Sequence, residues 1–190
     1  MQGKKISETK VIMVQPMSPQ EANIAGNVHG GVIMKLIDVA GAIVAQRHAQ
    51  TNVVTASVDR IDFLHPIYIA DILFLKASLN LVGRTSMEVG VRVEAENPLT
   101  GEIRHTTSAF LTYVALDKNG RPVEVPPLII ETAEDDRRNN DALARREVRL
   151  PGRIRDDPER DRDPDSEPRE SEAEAGPALG GDGAAGGRER

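Results

Sequence analysis

The spacing of apolar positions changes several times along the chain, and each change marks an element. Residues Glu8–Gln15 alternate and are rich in valine and isoleucine, which predicts a strand. Pro16-Met17-Ser18-Pro19 reads as a turn, with Ser18 placed to cap a short helical turn carrying Gln20 and Glu21. From Gly30 or Gly31 to about His48 the chain is apolar almost all round, which predicts one long helix without a polar face, a kind that is normally buried. Four strand patterns follow. Val53–Phe63 alternates Val53, Thr55, Ser57 and Asp59 against Val54, Ala56, Val58 and Arg60. Asp71–Val82 puts Leu73, Leu75, Ala77, Leu79 and Leu81 on one face. Ser86–Ala95 points Met87, Val89, Val91, Val93 and Ala95 inward, and Ser86, Glu88, Arg92 and Glu94 outward. Glu102–Leu116 is the longest. His65-Pro66, Gly83, Asn97-Pro98 and Asn119-Gly120 separate them.

The order strand, long helix, then a meander of four strands predicts an α+β fold in which one antiparallel sheet wraps around one central helix. A single such sheet leaves an edge and a flank open, so association of copies is expected. The domain is expected over residues 1–130. Residues 131–150 are charged and predict a solvent-exposed helix with pairs such as Glu134 with Arg138. Residues 151–190 are Asp, Glu, Arg, Pro and Gly with almost no large apolar side chain, so a disordered tail is expected there.

Charge sharpens this division. Through Ile130 there are 12 basic and 12 acidic residues, and the whole net charge of -6 lies beyond it. The folded part therefore has no global pull toward nucleic acid or an anionic membrane. There is no cysteine, which removes disulfides, thiolate metal sites and cysteine nucleophiles. The polar start has no signal-peptide character and no apolar run reaches the length of a membrane span, so the cytoplasm is the expected compartment.

The chemistry concentrates in Asn23–Asp38. Asp38 is the one acid of the long helix, and between Val32 and Gln46 the only other charge is Lys35. A carboxylate on such a helix must be paired, protonated or used. Met34, Gly41, Ala42 and Ala45 share its stripe, and the small ones leave room for a ligand, a water or another backbone. Gly30-Gly31 reads either as a plain turn or as a helix N-terminus whose free amides suit an anion. Aimed at a developing oxyanion, such donors contribute roughly 3–4 kcal/mol. Asn23 and Asn27 suit the orientation of a water or carbonyl, or simply the capping of a loop. His29 reads as a base, a ligand or a structural residue. The turn Val82-Gly83-Arg84-Thr85-Ser86 joins a cation, two hydroxyls and open amides, a set that suits a phosphate as well as a surface hairpin. No zinc-ligand spacing, nucleophile elbow, phosphate loop or dinucleotide fingerprint is present.

Taken together, Asn23-x-x-Gly26-Asn27-x-His29-Gly30-Gly31-x-x-Met34-Lys35-x-x-Asp38 resembles the active-site segment of hotdog-fold acyl-CoA thioesterases of the brain acyl-CoA hydrolase and YciA-like type. Val54–Phe63, Pro66, Val82–Met87 and Val114–Asp117 extend the resemblance over roughly Lys10 to Pro127. It implies a hotdog fold, dimers joined through a continuous sheet and assembled into hexamers, and hydrolysis of acyl-CoA to fatty acid and CoA. No cofactor is implied, because coenzyme A is part of the substrate. The catalytic pair falls on Asn23 and Asp38, supplied by opposite subunits, with Asp38 as general base or, alternatively, as nucleophile. A backbone amide near Gly31 polarises the thioester carbonyl, with His29 and Gly30 beside it. Arg60, Gly83, Arg84, Thr85 and Ser86 hold the nucleotide phosphates. The alternative is a non-catalytic acyl-CoA or acyl-carrier sensor on the same fold.

Overall fold

A computed structural model of the chain describes residues 1–149; the tail expected over 151–190 lies outside the described residues. The elements in order are β1 (Lys4–Lys5), a 3-10 turn (Ile6–Glu8), β2 (Val11–Pro16), a second 3-10 turn (Pro19–Glu21), α1 (Gly30–Ala49), β3 (Asn52–Phe63), β4 (Ile72–Val82), β5 (Ser86–Glu96), β6 (Ile103–Leu116), β7 (Leu128–Ile129) and α2 (Ala133–Arg149). At the second turn Ser18 is the N-cap as expected, and its N–H donates to Glu21 Oε2 at 2.6 Å, the Glu half of a capping box.

Five strands form one antiparallel sheet in the order β2-β4-β5-β6-β3. The expected four-strand meander is therefore only partly present. β4, β5 and β6 follow one another, but β3 crosses to the far edge and pairs with β6. The Leu64–Asp71 connection, stiffened by Pro66, lets the chain cross rather than fold back as a hairpin. The inward stripe of β5 is fully in the core, as the alternation requires. On β4 the register shifts between Leu79 and Leu81. Leu81 then pairs with Glu88 and leaves the core stripe, and Val82 takes its place opposite Met87. β3 carries two bulges, between Thr55 and Ser57 and between Val58 and Arg60, so its strict alternation fails. Thr55, Val58 and Ile61 pair with Tyr113, Leu111 and Ala109 of the inner face, whereas Ser57 and Arg60 pair with Thr112 and Phe110.

α1 lies across the inner face. Ile33, Ile37, Ala40, Val44 and Ala45 share one core with Leu73, Leu75, Leu79, Val89 and Leu111. Each large aliphatic side chain buried there contributes roughly 1.5–3 kcal/mol. The sheet does not enclose the helix on all sides. Met34 is 46% exposed, Val39 39%, and Asp38 half-buried. The edge strand β3 adds Val54 and Val58, both more than 40% exposed.

The charged helix expected over residues 131–150 is present as α2, and one side of it is packed rather than solvent-exposed. It covers the outer face of the sheet, with Ala142 buried beneath it. Asn139 Nδ2 donates to the Asn80 carbonyl at 2.7 Å. The Arg145 guanidinium meets the buried carboxylate of Glu88 at 2.6 Å and lies 3.8 Å over the Phe110 ring. Glu88, expected to point into solvent, is thus under a helix. Within α2, Glu134 pairs with Arg137 rather than Arg138, and Arg138 pairs with the buried Asp135.

His48, near the C-terminus of α1, is fully buried, and its Nε2–H donates to the Pro126 carbonyl at 2.7 Å. Its Nδ1 is buried without a partner among the described residues. Burial pushes the imidazole below its ordinary value of 6.5, against the opposing pull of the Pro126 hydrogen bond. The unfolded chain therefore binds a proton near pH 6.5 that the folded chain refuses, so stability falls as pH drops through that value. Melting temperatures between pH 7.5 and 5.5 are expected to fall more steeply for the native chain than for His48→Gln, which keeps a donor for Pro126 without a titrating ring. Equal slopes would remove His48 from the account.

Candidate active site

The Asn23–His29 loop is held at its C-terminal end, where it enters α1. Val28 N–H donates to the Ile67 carbonyl at 2.9 Å and His29 N–H to the Glu21 carbonyl at 2.8 Å. Inside the loop, Asn23 Oδ1 accepts from the Ala25 and Asn27 amides at 2.9 and 3.1 Å. Its oxygen is thereby committed, and its NH2 is left as a donor with no partner among the described residues. His29 is the N-cap of α1: its Nδ1 accepts the Gly31 N–H at 2.9 Å. The Gly31 amide, expected to be free, is occupied for this reason. The Gly30 N–H has no partner among the described residues. Asn23, Gly30, Ile33 and Phe63 line one cavity of about 310 Å³ at the positive end of the helix.

Asp38 sits two turns further along α1, and one of its oxygens is held. Thr55 Oγ1 donates to Oδ1 at 2.5 Å, and the Tyr113 hydroxyl lies 3.3 Å from the same oxygen and 2.9 Å from the Asp38 carbonyl. Oδ2 has no partner among the described residues. Neither Thr55 nor Tyr113 stands out in the chain as a site residue. They face Asp38 because they are partners in the β3–β6 register, a pairing no local pattern reveals. Tyr113 is fully buried, and burial first, then the neighbouring charge of Asp38, pushes its hydroxyl above the ordinary phenol value. It stays a donor throughout the physiological range. The space that the small residue Gly41 leaves beside Asp38 is filled by this side chain: a Cβ on Gly41 would overlap the Tyr113 hydroxyl and lie 3.0 Å from two ring carbons. A glycine inside a helix costs about 1 kcal/mol relative to alanine, so the fit is bought at a cost in helix stability.

The two halves of the pattern are not brought together within one chain. The rise of an α-helix puts Gly30 and Asp38 about 12 Å apart along the axis. Asn23 lines the cavity at the helix N-terminus and Asp38 does not. The predicted phosphate residues form a third place. Arg84, Thr85 and Ser86 line a cleft of about 520 Å³ with Arg146 and Arg149 of α2. Gly83 closes the hairpin through its N–H to the Ser86 carbonyl at 2.7 Å, and a Cβ there would crowd both Ser86 and Arg146. Arg149 is committed to Asp59 and to Thr112. Arg60 does not join this cleft: it pairs with Asp62 at 2.7 Å and lines a different groove, because the β3 bulge turns it toward Phe110.

Residues 25–102 match the family model described as the thioesterase superfamily. YkhA of Bacillus subtilis, named as an uncharacterized acyl-CoA thioester hydrolase, is 41% identical over 138 residues, covering 73% of this chain and 80% of that one. A crystal structure of an apo-hexameric acyl-CoA thioesterase superposes with a TM-score of 0.78 at 38% identity, covering 82% of this chain and all of that one. The Staphylococcus aureus acyl-CoA hydrolase, solved with butyryl coenzyme A and coenzyme A, superposes with a TM-score of 0.75 at 36% identity, covering 80% and 92%. That enzyme has also been solved with an asparagine, an aspartate or a threonine replaced by alanine, at positions 15 and 17 residues apart. Asn23, Asp38 and Thr55 have the same residue types and spacing here.

Proposed function

The chain belongs to the thioesterase superfamily of hotdog folds and hydrolyses acyl-CoA thioesters, and we propose that it does so at a site shared by two subunits. One subunit supplies Asn23 and the N-terminus of α1, and the other supplies Asp38. Asp38 Oδ2 takes a proton from water, and the oxygen of that water forms a bond to the thioester carbonyl carbon. The charge that develops on the carbonyl oxygen is met by the Asn23 NH2 and by the amide of the Gly30–Gly31 turn, with Gly30 as its uncommitted donor. Collapse breaks the C–S bond, and the thiolate leaves with the proton Asp38 had taken, giving a carboxylic acid and the free thiol of CoA. A thioester is already activated and its thiolate leaves readily, so a base and an oxyanion site suffice and no resident cofactor is required. His29 keeps the turn in shape by capping Gly31.

The observation that carries this reading is the state of Asp38: one oxygen tied to Thr55 and Tyr113, the other open. The 12 Å stretch of helix between the two half-sites supports their meeting across a subunit boundary. The exposed apolar strip of Met34 and Val39 and the open edge of β3 supply a surface for a second copy, and dimers are expected to assemble further into hexamers. Arg84, Thr85 and Ser86, joined by Arg146, would hold the phosphates of CoA. No helix among the described residues is long and apolar enough to cross a membrane, and the cytoplasm is the proposed compartment. The test is release of free thiol from a panel of acyl-CoAs, from acetyl to palmitoyl, read with Ellman's reagent. Steady turnover of at least part of the panel is expected. Saturable acyl-CoA binding with no thiol release would instead make the protein a sensor.

A further inference from the structure

We infer that Tyr113 is a positioning residue for hydrolysis: its hydroxyl, seated in the gap left by Gly41, joins Thr55 in fixing Oδ1 of Asp38 so that Oδ2 faces the attacking water. The inference rests on the reading of Asp38 as the base. Three observations on different elements converge on it. Tyr113 comes from β6, Thr55 from β3 and Asp38 from α1, and the three polar tips meet at one carboxylate oxygen. Gly41, one turn beyond Asp38, is the residue whose side chain would displace the hydroxyl. The buried phenol remains protonated, so it serves as a donor to the carboxylate and never competes for its proton. A phenylalanine would fill the same inner-face position in the core; what the hydroxyl adds is its polar contacts with Asp38 and with Thr55, the second holder of that carboxylate.

A purely structural account is also available to this group. The hydroxyl has one hydrogen, and the Asp38 carbonyl, at 2.9 Å, is its closer acceptor, with Oδ1 at 3.3 Å the longer one. The two accounts differ in what removal of the oxygen does. If Tyr113 positions the base, Tyr113→Phe lowers kcat about tenfold with KM unchanged within twofold, since a misplaced reacting group costs turnover more than binding. In an Asp38→Asn background the same substitution then has no further effect on the residual rate. An unchanged kcat for Tyr113→Phe, accompanied only by a lower melting temperature, overturns the inference, as does an equal tenfold loss in both backgrounds. If Asp38→Asn alone keeps near-normal kcat, the base itself is misassigned and the inference falls with it; that outcome is separable because it does not involve Tyr113.

Discussion

Asparagine in place of Asp38 is expected to lower kcat for any acyl-CoA the enzyme turns over by roughly a thousandfold, with KM and melting temperature nearly unchanged. The substitution is almost isosteric. Its carbonyl oxygen can still accept from Thr55 and Tyr113, which hold Oδ1 in the native site. What it cannot do is accept a proton at the second position, where an NH2 replaces Oδ2. A loss confined to kcat is the signature of an interaction used in the transition state and not in substrate binding. Asp38 is half-buried and the variant keeps the acceptor for Thr55, so a large stability change is not expected. Near-normal turnover by Asp38→Asn would mean that water is activated elsewhere.

The site and the fold differ in how far they can be read from the chain. β5, β4 as far as Leu79, and α1 are legible because their apolar spacing is regular: the inward residues of β5 are all buried, and the buried positions of α1 recur at helical spacing. β3 is less so, since two bulges change which face its residues take, and nothing in Ala56 or Asp59 announces an extra residue in the ladder. α2 itself is legible, a charged helix where the spacing predicts one; its packing is illegible for a different reason. Arg145 and Asn139 look like solvent-facing residues until Glu88 and Asn80 are placed beneath them, and the pairing spans a long sequence separation. The same holds at the site. Asn23 and Asp38 stand out because a lone acid and a polar glycine turn break an apolar pattern. Thr55 and Tyr113 sit in ordinary strand alternation and acquire meaning only through cross-strand register. The capping of Gly31 by His29 is likewise a matter of rotamer, and it moves the open amide by one residue to Gly30.

Asn23→Ala is expected to cost about a hundredfold in kcat, as loss of one oxyanion donor does elsewhere, and less than Asp38→Asn. Each variant alone is therefore nearly inactive, and yet the two should rescue one another. In a symmetric pair, residue i of one copy meets residue j of the other, so a mixed pair holds one site with both defects and one site with neither. With random pairing, half of the pairs are mixed and half of their sites are intact, so about a quarter of native activity is expected to return. The decisive measurement is the thiol-release rate of oligomers formed by co-expressing differently tagged Asn23→Ala and Asp38→Asn chains, with mixing verified by tandem purification. Recovery toward a quarter of the native rate is the predicted result. Verified mixed oligomers no more active than the separate variants would contradict a site built from Asn23 of one copy and Asp38 of another.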